Sequence, residues 1–337
     1  MRSEKKITER IEYIDFLKFI GITAIVLAHV SAPKWLTAIR SFDVPLMVIV
    51  SALLGEKSIR RYDSNNKTGF AYCVDRIKRL LIPTWIFLVL YFVFTFLVTG
   101  SLYNVECYIA SFALTRYGIG YVWVILIYLY SAVQIPVFYK VGDSKIALFS
   151  IAFIYVGYEV LCCLNIGVDN KLMDTTFYSF IPYGVITYLG YHMRRYCKKT
   201  KLAIGIVSVC LCVGLGIYYW LFYGEPQSFG IMKYPARLYF LAYGVAIAVF
   251  LIVVCEKLKL KIYHNKIIRF VAGNSLWIYL WHILMLDVYK MLGLPGLWYM
   301  KLMFVYVTAT GMVLLVNLVL DQIEKKKSYQ FFKYLRG

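Results

Sequence analysis

Asp15, Lys18 and His29 fall inside the first apolar segment of the chain, Tyr13 to Ser31, where ionisable side chains are expensive. At about 100° per residue, the steps from Lys18 to His29 return to within about 20° of the starting direction, and Asp15 lies about 60° from Lys18. The rise between Lys18 and His29 is roughly 16 Å, so they belong near one membrane surface and well across it. Ionisable residues sharing one face predict a stripe that lines a cavity rather than touching lipid. A neutral imidazole can take a proton from a hydroxyl near physiological pH, which makes His29 the leading candidate for a general base. Asp15 and Lys18 can neutralise each other, because a buried unpaired charge is costly, and this leaves Lys18 suited to hold an anionic ligand. A packing histidine is the alternative for His29.

A second cluster runs from Cys73 to Pro83, with Arg76 and Arg79 three apart and so on one face of any helix entering the membrane. Guanidinium forks suit phosphates, which they bind through bidentate, charge-assisted bonds. The same arginines also fit the ordinary basic flank of an inner helix end, and Pro83 fits a helix start or a kink. The third cluster is Asn274 to His282. His282 inside an apolar helix is catalytic, ligand-binding or a satisfied structural histidine, and it shares a face with Ser275. No acid completes a hydrolase triad and no GxSxG elbow is present, which argues against a serine hydrolase. Asp43 begins the second apolar segment and either orients the His29 imidazole or caps its own helix. Arg237 opens a later segment and is a candidate to hold an acceptor.

Elements that hold such residues must cross a bilayer. Hydrophobic residues make up 61% of the 337 positions, 16% are charged, and the mean hydropathy is +0.68. This composition defines an all-α, polytopic membrane helix bundle. About ten spans are expected, at 13–32, 41–56, 80–100, 121–139, 146–165, 175–193, 202–222, 236–255, 270–290 and 298–320. They form a single domain over 1–337 with tails at 1–12 and 321–337. With the N-terminus inside, 28 of the 37 basic residues fall on inner segments and 8 on outer ones, which predicts both termini in the cytoplasm. The same bias accounts for most of the formal +19 and leaves no soluble basic domain to bind nucleic acid. The first span lacks a small-residue cleavage site and is expected to act as a signal anchor. The 31 tyrosines exceed the needs of interfacial belts, so some are expected to face an internal aqueous or sugar-lined space. The 8 cysteines are scattered, with no CxxC or Cys/His pairing, so neither a disulfide framework nor a metal site is expected.

In order and spacing these segments resemble the acyltransferase-3 family of integral-membrane acyltransferases. Lys18, ten residues and His29 are similar to the family's first-helix pattern, and Ser41-Phe42-Asp43-Val44-Pro45-Leu46 followed by Ser51-Ala52 to its next. Arg76-x-x-Arg79-Leu80-x-x-Pro83, Trp123 to Pro136, and Ser275, Tyr279, Leu280 and His282 resemble later ones, from about Glu12 to Leu286 in all. Ala52 stands where the family usually has glycine. The resemblance implies transfer of an acyl group, usually acetyl, from cytoplasmic acyl-CoA to a hydroxyl of an extracytoplasmic or lipid-linked glycan. Arg76, Arg79 and Lys18 would then take the CoA phosphates, and His29, with Asp15 and Asp43, would form the catalytic set. Trp123, Arg237, Ser275 and His282 are the candidates for substrate binding. The rival reading is a proton-coupled transporter or flippase with Asp15, Lys18, His29 and His282 as its pathway. The expected location is the plasma or inner membrane of the cell.

Overall fold

The computed structural model describes residues 11–326 apart from Pro226 and Lys259; of the expected tails 1–12 and 321–337, residues 1–10 and 327–337 lie outside the described residues, and 321–326 continue the last helix. Every regular element among them is helical. The first, α1 (Glu12–Leu27), is followed by a tight turn through Ser31, which has a φ of 59°. A short α2 (Lys34–Ile39) and one 3-10 turn (Arg40–Phe42) lead into α3 (Asp43–Ser64). Next come α4 (Gly69–Thr99), α5 (Val105–Phe112), α6 (Trp123–Val141) and α7 (Lys145–Cys163). Then follow α8 (Lys171–Thr175), α9 (Phe177–His192), α10 (Lys198–Tyr223) and α11 (Leu238–Lys257). The last are α12 (Lys266–Gly273), α13 (Ser275–Met291) and α14 (Trp298–Lys326).

The local sequence explains many of the ends. Thr68 caps α4 by accepting the Ala71 amide at 3.2 Å, and Asn104 caps α5 by accepting that of Cys107 at 2.8 Å. Gly100 and Gly224 close α4 and α10 at φ of 67° and 75°, a left-handed conformation that costs glycine little.

Among the described residues, seven helical segments are long and apolar enough to cross a membrane, or eight if α12 and α13, bent by 81°, count as one span. The expected spans 13–32 and 175–193 are instead α1 and α9, of 16 residues each, or about 24 Å against a hydrocarbon core of about 30 Å. Helices this short, and a broken one, are tolerated at membrane depth where they line a protein-enclosed space. The third expected span, 80–100, corrects to Gly69–Thr99, a helix that continues without a break through Pro83. Proline removes the backbone donor that would meet the Arg79 carbonyl, and, one residue on, the Thr84 hydroxyl donates to the Leu80 carbonyl at 2.7 Å. Pro83 therefore marks neither the start nor the end of α4.

α3 is the hub, packed against α1, α4, α6, α9 and α11. The apolar stretch of the segment that contains it, Lys34–Ser64, is 61% buried, whereas those of α7, α10 and α14 are 11–17% buried, as expected of helices with one flank on protein and the rest on lipid. The crossing of α3 and α9 is close because Gly190 has no side chain. A Cβ there would lie 2.6 Å from the Ile49 carbonyl oxygen and 2.9 Å from the Ala52 Cβ. The small residue missing at Ala52 is thus supplied from the opposite helix.

Candidate functional site

Lys18 of α1 and Arg76 and Arg79 of α4 line one side of a 270 Å³ cavity between α1, α3, α4, α6 and α13. Because α4 begins at Gly69, both arginines stand on its third turn, on one face. Arg76 donates from Nη2 to the Ser51 hydroxyl at 3.4 Å, and its buried Nε has no partner among the described residues. Neither Arg76 nor Arg79 has a carboxylate within ion-pair distance among the described residues. The arginines nearby differ. Arg60, Arg194 and Arg195 all gather on the buried carboxylate of Glu56.

The bend between α12 and α13 opens onto the same cavity, which Gly273, Ser275 and Tyr279 line. Asn274 holds the bend: its Nδ2 donates to the Phe270 carbonyl at 2.8 Å, and its Oδ1 accepts from Asn317 of α14 at 3.1 Å. The break presents the N-terminal turn of α13, the positive end of the helix dipole, to the space the arginines face.

Tyr279 forms the boundary between the cavity and a pair of histidines. Its hydroxyl donates to the Tyr121 backbone carbonyl, and its ring centroid lies 5.1 Å from that of His282. The His282 ring is in turn 5.5 Å from His29, and Tyr121 meets His29 edge-on at 4.9 Å. His282 is fully buried, and its Nδ1 contacts the Tyr279 carbonyl, an acceptor, which assigns the proton to Nδ1. Nε2 is then a bare acceptor, and it has no partner among the described residues. His29 itself lies in the turn beyond α1, where Ala28 and His29 tighten to i→i−3 bonds, rather than on a continuous helix to residue 32.

The remaining expected residues separate. Asp15 is buried in the first turn of α1, where the helix dipole favours a carboxylate, and about 20 Å of helix and turn separates it from His29. It does not touch the imidazole. Asp43 does not bond to His29 either. Its Oδ1 accepts the Val44 amide at 2.7 Å and its Oδ2 accepts from Arg40 at 2.6 Å; it is the first residue of α3, whose N-cap position is Phe42 with no side-chain cap bond, so neither expected role describes its contacts. Arg237 is held by Glu159 of α7 at 2.8 Å, and the same carboxylate accepts the Leu238 amide at 2.6 Å. It does not line the cavity. Trp123 lines a separate small recess at the far end, with Tyr234 edge-on at 5.1 Å and the Lys233 ammonium 5.1 Å above its ring. Burial among these rings pushes the Lys233 ammonium below the usual lysine range, with Asp43 opposing the shift.

Tyr128 was not singled out by its sequence context. It lines the arginine cavity, and its hydroxyl is buried with no partner among the described residues; the same is true of the Tyr183 hydroxyl. The excess of tyrosine was the only signal in the sequence. Among the described residues, no three His, Cys, Asp or Glu side chains gather as a metal would require.

The model of the acyltransferase-3 family, described as an acyltransferase domain, matches residues 11–321, and the chain belongs to that family. Its helices and this membership define a multi-pass membrane acyltransferase. No curated protein and no solved structure matches it.

Proposed function

We propose that the protein moves an acyl group, acetyl in the first instance, from cytoplasmic acyl-CoA to a hydroxyl of a cell-surface or lipid-linked glycan. The observation that carries this reading is a cavity lined by uncompensated arginines and by Tyr279, whose ring contacts the His29–His282 pair lying just outside that lining. Lys18, Arg76 and Arg79 take the CoA phosphates, and the thioester arm runs along the apolar walls toward Tyr128 and Tyr279. His29 removes the proton of the acceptor hydroxyl as its oxygen attacks the thioester carbonyl carbon. The tetrahedral intermediate collapses, the carbon–sulfur bond breaks, and the imidazolium returns the proton to the leaving thiolate. The products are an ester and free CoA thiol. The Tyr128 hydroxyl is positioned to donate to the developing oxyanion. The basic end of the bundle faces the cytoplasm of a plasma or inner membrane, in keeping with the bias of the basic residues.

The decisive experiment is acetyl-CoA binding by the purified protein in detergent, for the wild type and the Arg76→Ala/Arg79→Ala variant. Saturable binding that the double change weakens by about 10-fold or more is expected, from the loss of charge-assisted bonds worth about 1.5–3 kcal/mol each. A folded wild type that binds no acetyl-CoA would overturn the reading and turn attention to transport, for which a broken helix beside a cavity is also apt.

A further inference from the structure

The arginine cavity does not stand alone. Arg76 and Arg79 also line a second cavity of 250 Å³, at the junction of α3 and α4. The first is walled largely by apolar side chains, and the second is polar, rimmed by Arg61 and Lys67 in addition to the shared arginines. Its one lining carboxylate, Asp75, accepts a hydrogen bond from Tyr62, whose ring lies under the Lys67 ammonium at 5.6 Å. Arg61, like Arg76 and Arg79, has no carboxylate within ion-pair distance among the described residues. Four cations against one carboxylate leave a strongly positive recess next to an apolar one, joined at two arginines.

A ligand that fills both must be apolar and extended at one end, doubly charged where the two meet, and charged again at the other end. Coenzyme A has this order: an acylated arm, a diphosphate, and a ribose bearing a 3′-phosphomonoester. The geometry points to a subsite for the 3′-phosphate of the donor, formed by Arg61 and Lys67 in the outer cavity, with Arg76 and Arg79 on the diphosphate at the junction. This subsite rests on the acyl-CoA reading given above and goes further. It makes the nucleotide end a recognised part of the donor, so the protein tells a full CoA thioester from one that lacks the 3′-phosphate. A phosphomonoester carries close to two negative charges at neutral pH, so it gains more than a diester phosphate from two adjacent cations.

The test compares acetyl-CoA with acetyl-3′-dephospho-CoA, by dissociation constant, on wild type, Arg61→Ala/Lys67→Ala and Arg76→Ala/Arg79→Ala proteins in neutral detergent. Arg61 and Lys67 are exposed, so their removal spares the core. The wild type is expected to prefer acetyl-CoA by about 10-fold or more. In Arg61→Ala/Lys67→Ala that preference collapses toward one, with the affinity for the dephospho compound unchanged. In Arg76→Ala/Arg79→Ala both thioesters weaken and the preference persists. A wild type that binds both thioesters equally well overturns the subsite while the donor reading stands, and leaves the rim to the headgroups of anionic lipid. A preference that survives in Arg61→Ala/Lys67→Ala assigns the 3′-phosphate to other residues and also overturns it. Binding of neither thioester by folded wild type overturns the subsite together with the donor reading.

Discussion

The two ends of the bundle treat positive charge in opposite ways. At one, Arg61, Arg76 and Arg79 line cavities with no carboxylate in ion-pair range among the described residues. At the other, Arg40 is held by Asp43 at 2.6 Å, and Arg116 by Asp174 and Arg237 by Glu159 at 2.8 Å each. Carboxylates are not scarce at the first end, since Glu56 there draws three other arginines. A half-buried cation without a counter-charge is costly to keep. It persists where an anionic ligand supplies the missing charge. At the paired end the rings of Trp123, Tyr183 and Tyr234 line one small recess, where Lys233 is the exception to the pairing: its ammonium lies over the Trp123 ring and has no carboxylate in ion-pair range among the described residues.

The sharpest way to break this division is His29→Ala. If His29 belongs to the chemistry and not to donor binding, turnover falls by about 10²- to 10⁴-fold, the usual contribution of a positioned base. The acetyl-CoA dissociation constant stays within about twofold, and the folded yield is unchanged. A variant that loses donor affinity as severely as Arg76→Ala/Arg79→Ala would merge the two ends into one site, and normal turnover would remove the base assignment.

Stability should divide the ends as well. Asp43 is 1% exposed, and Asp43→Ala leaves the Arg40 guanidinium in the bundle without its partner. A loss of about 3–5 kcal/mol is expected, read as a lowered unfolding midpoint in detergent. Replacing both members by apolar residues, Arg40→Met/Asp43→Leu, should recover most of it. Arg79→Ala, which removes a cation that has no counter-charge, should leave the midpoint unchanged or raise it. Equal losses in Asp43→Ala and Arg79→Ala would erase the contrast.

Much of this was legible in the sequence, for identifiable reasons. Hydropathy and length locate apolar segments, so each of the ten expected spans has a helical counterpart, and the i, i+3 spacing of Arg76 and Arg79 does set them on one face. Three features escaped. The break at Asn274 rests on a side-chain bond to Phe270 and another from Asn317, 43 positions away, which no local pattern records. α4 begins at Gly69 because the Thr68 cap, not Pro83, sets its start, and proline within a helix reads as a boundary when tertiary packing is invisible. The small residue expected at position 52 is Gly190, on another helix, since close approach needs one missing Cβ at the crossing and either partner can provide it. Among candidate residues, those that contact the cavity or each other along one or two elements were readable. The roles of Asp43 and Arg237 were not, because their partners come from the 3-10 turn before α3 and from α7.

The smallest expected effect lies in the recess of the paired end. Trp123 carries the Lys233 ammonium on one side and Tyr234 at its edge, so its ring is held in a fixed attitude rather than free to pack elsewhere. Stacking on such a ring contributes about 0.5–1.5 kcal/mol beyond the area it buries, or roughly a 2- to 10-fold change in acceptor use. Trp123→Ala should therefore lower ester-linked acetate on the surface glycan of cells carrying it by that factor, while acetyl-CoA binding by the purified protein is unchanged. Trp123→Phe, which keeps an aromatic face, should recover most of the loss. The pattern separates a recognition role from a structural one. Collapse of the recess would lower the unfolding midpoint and would not distinguish phenylalanine from alanine by acceptor use alone. If Trp123→Ala weakens acetyl-CoA binding instead, the recess belongs with the donor, and the paired charges at this end serve only the fold.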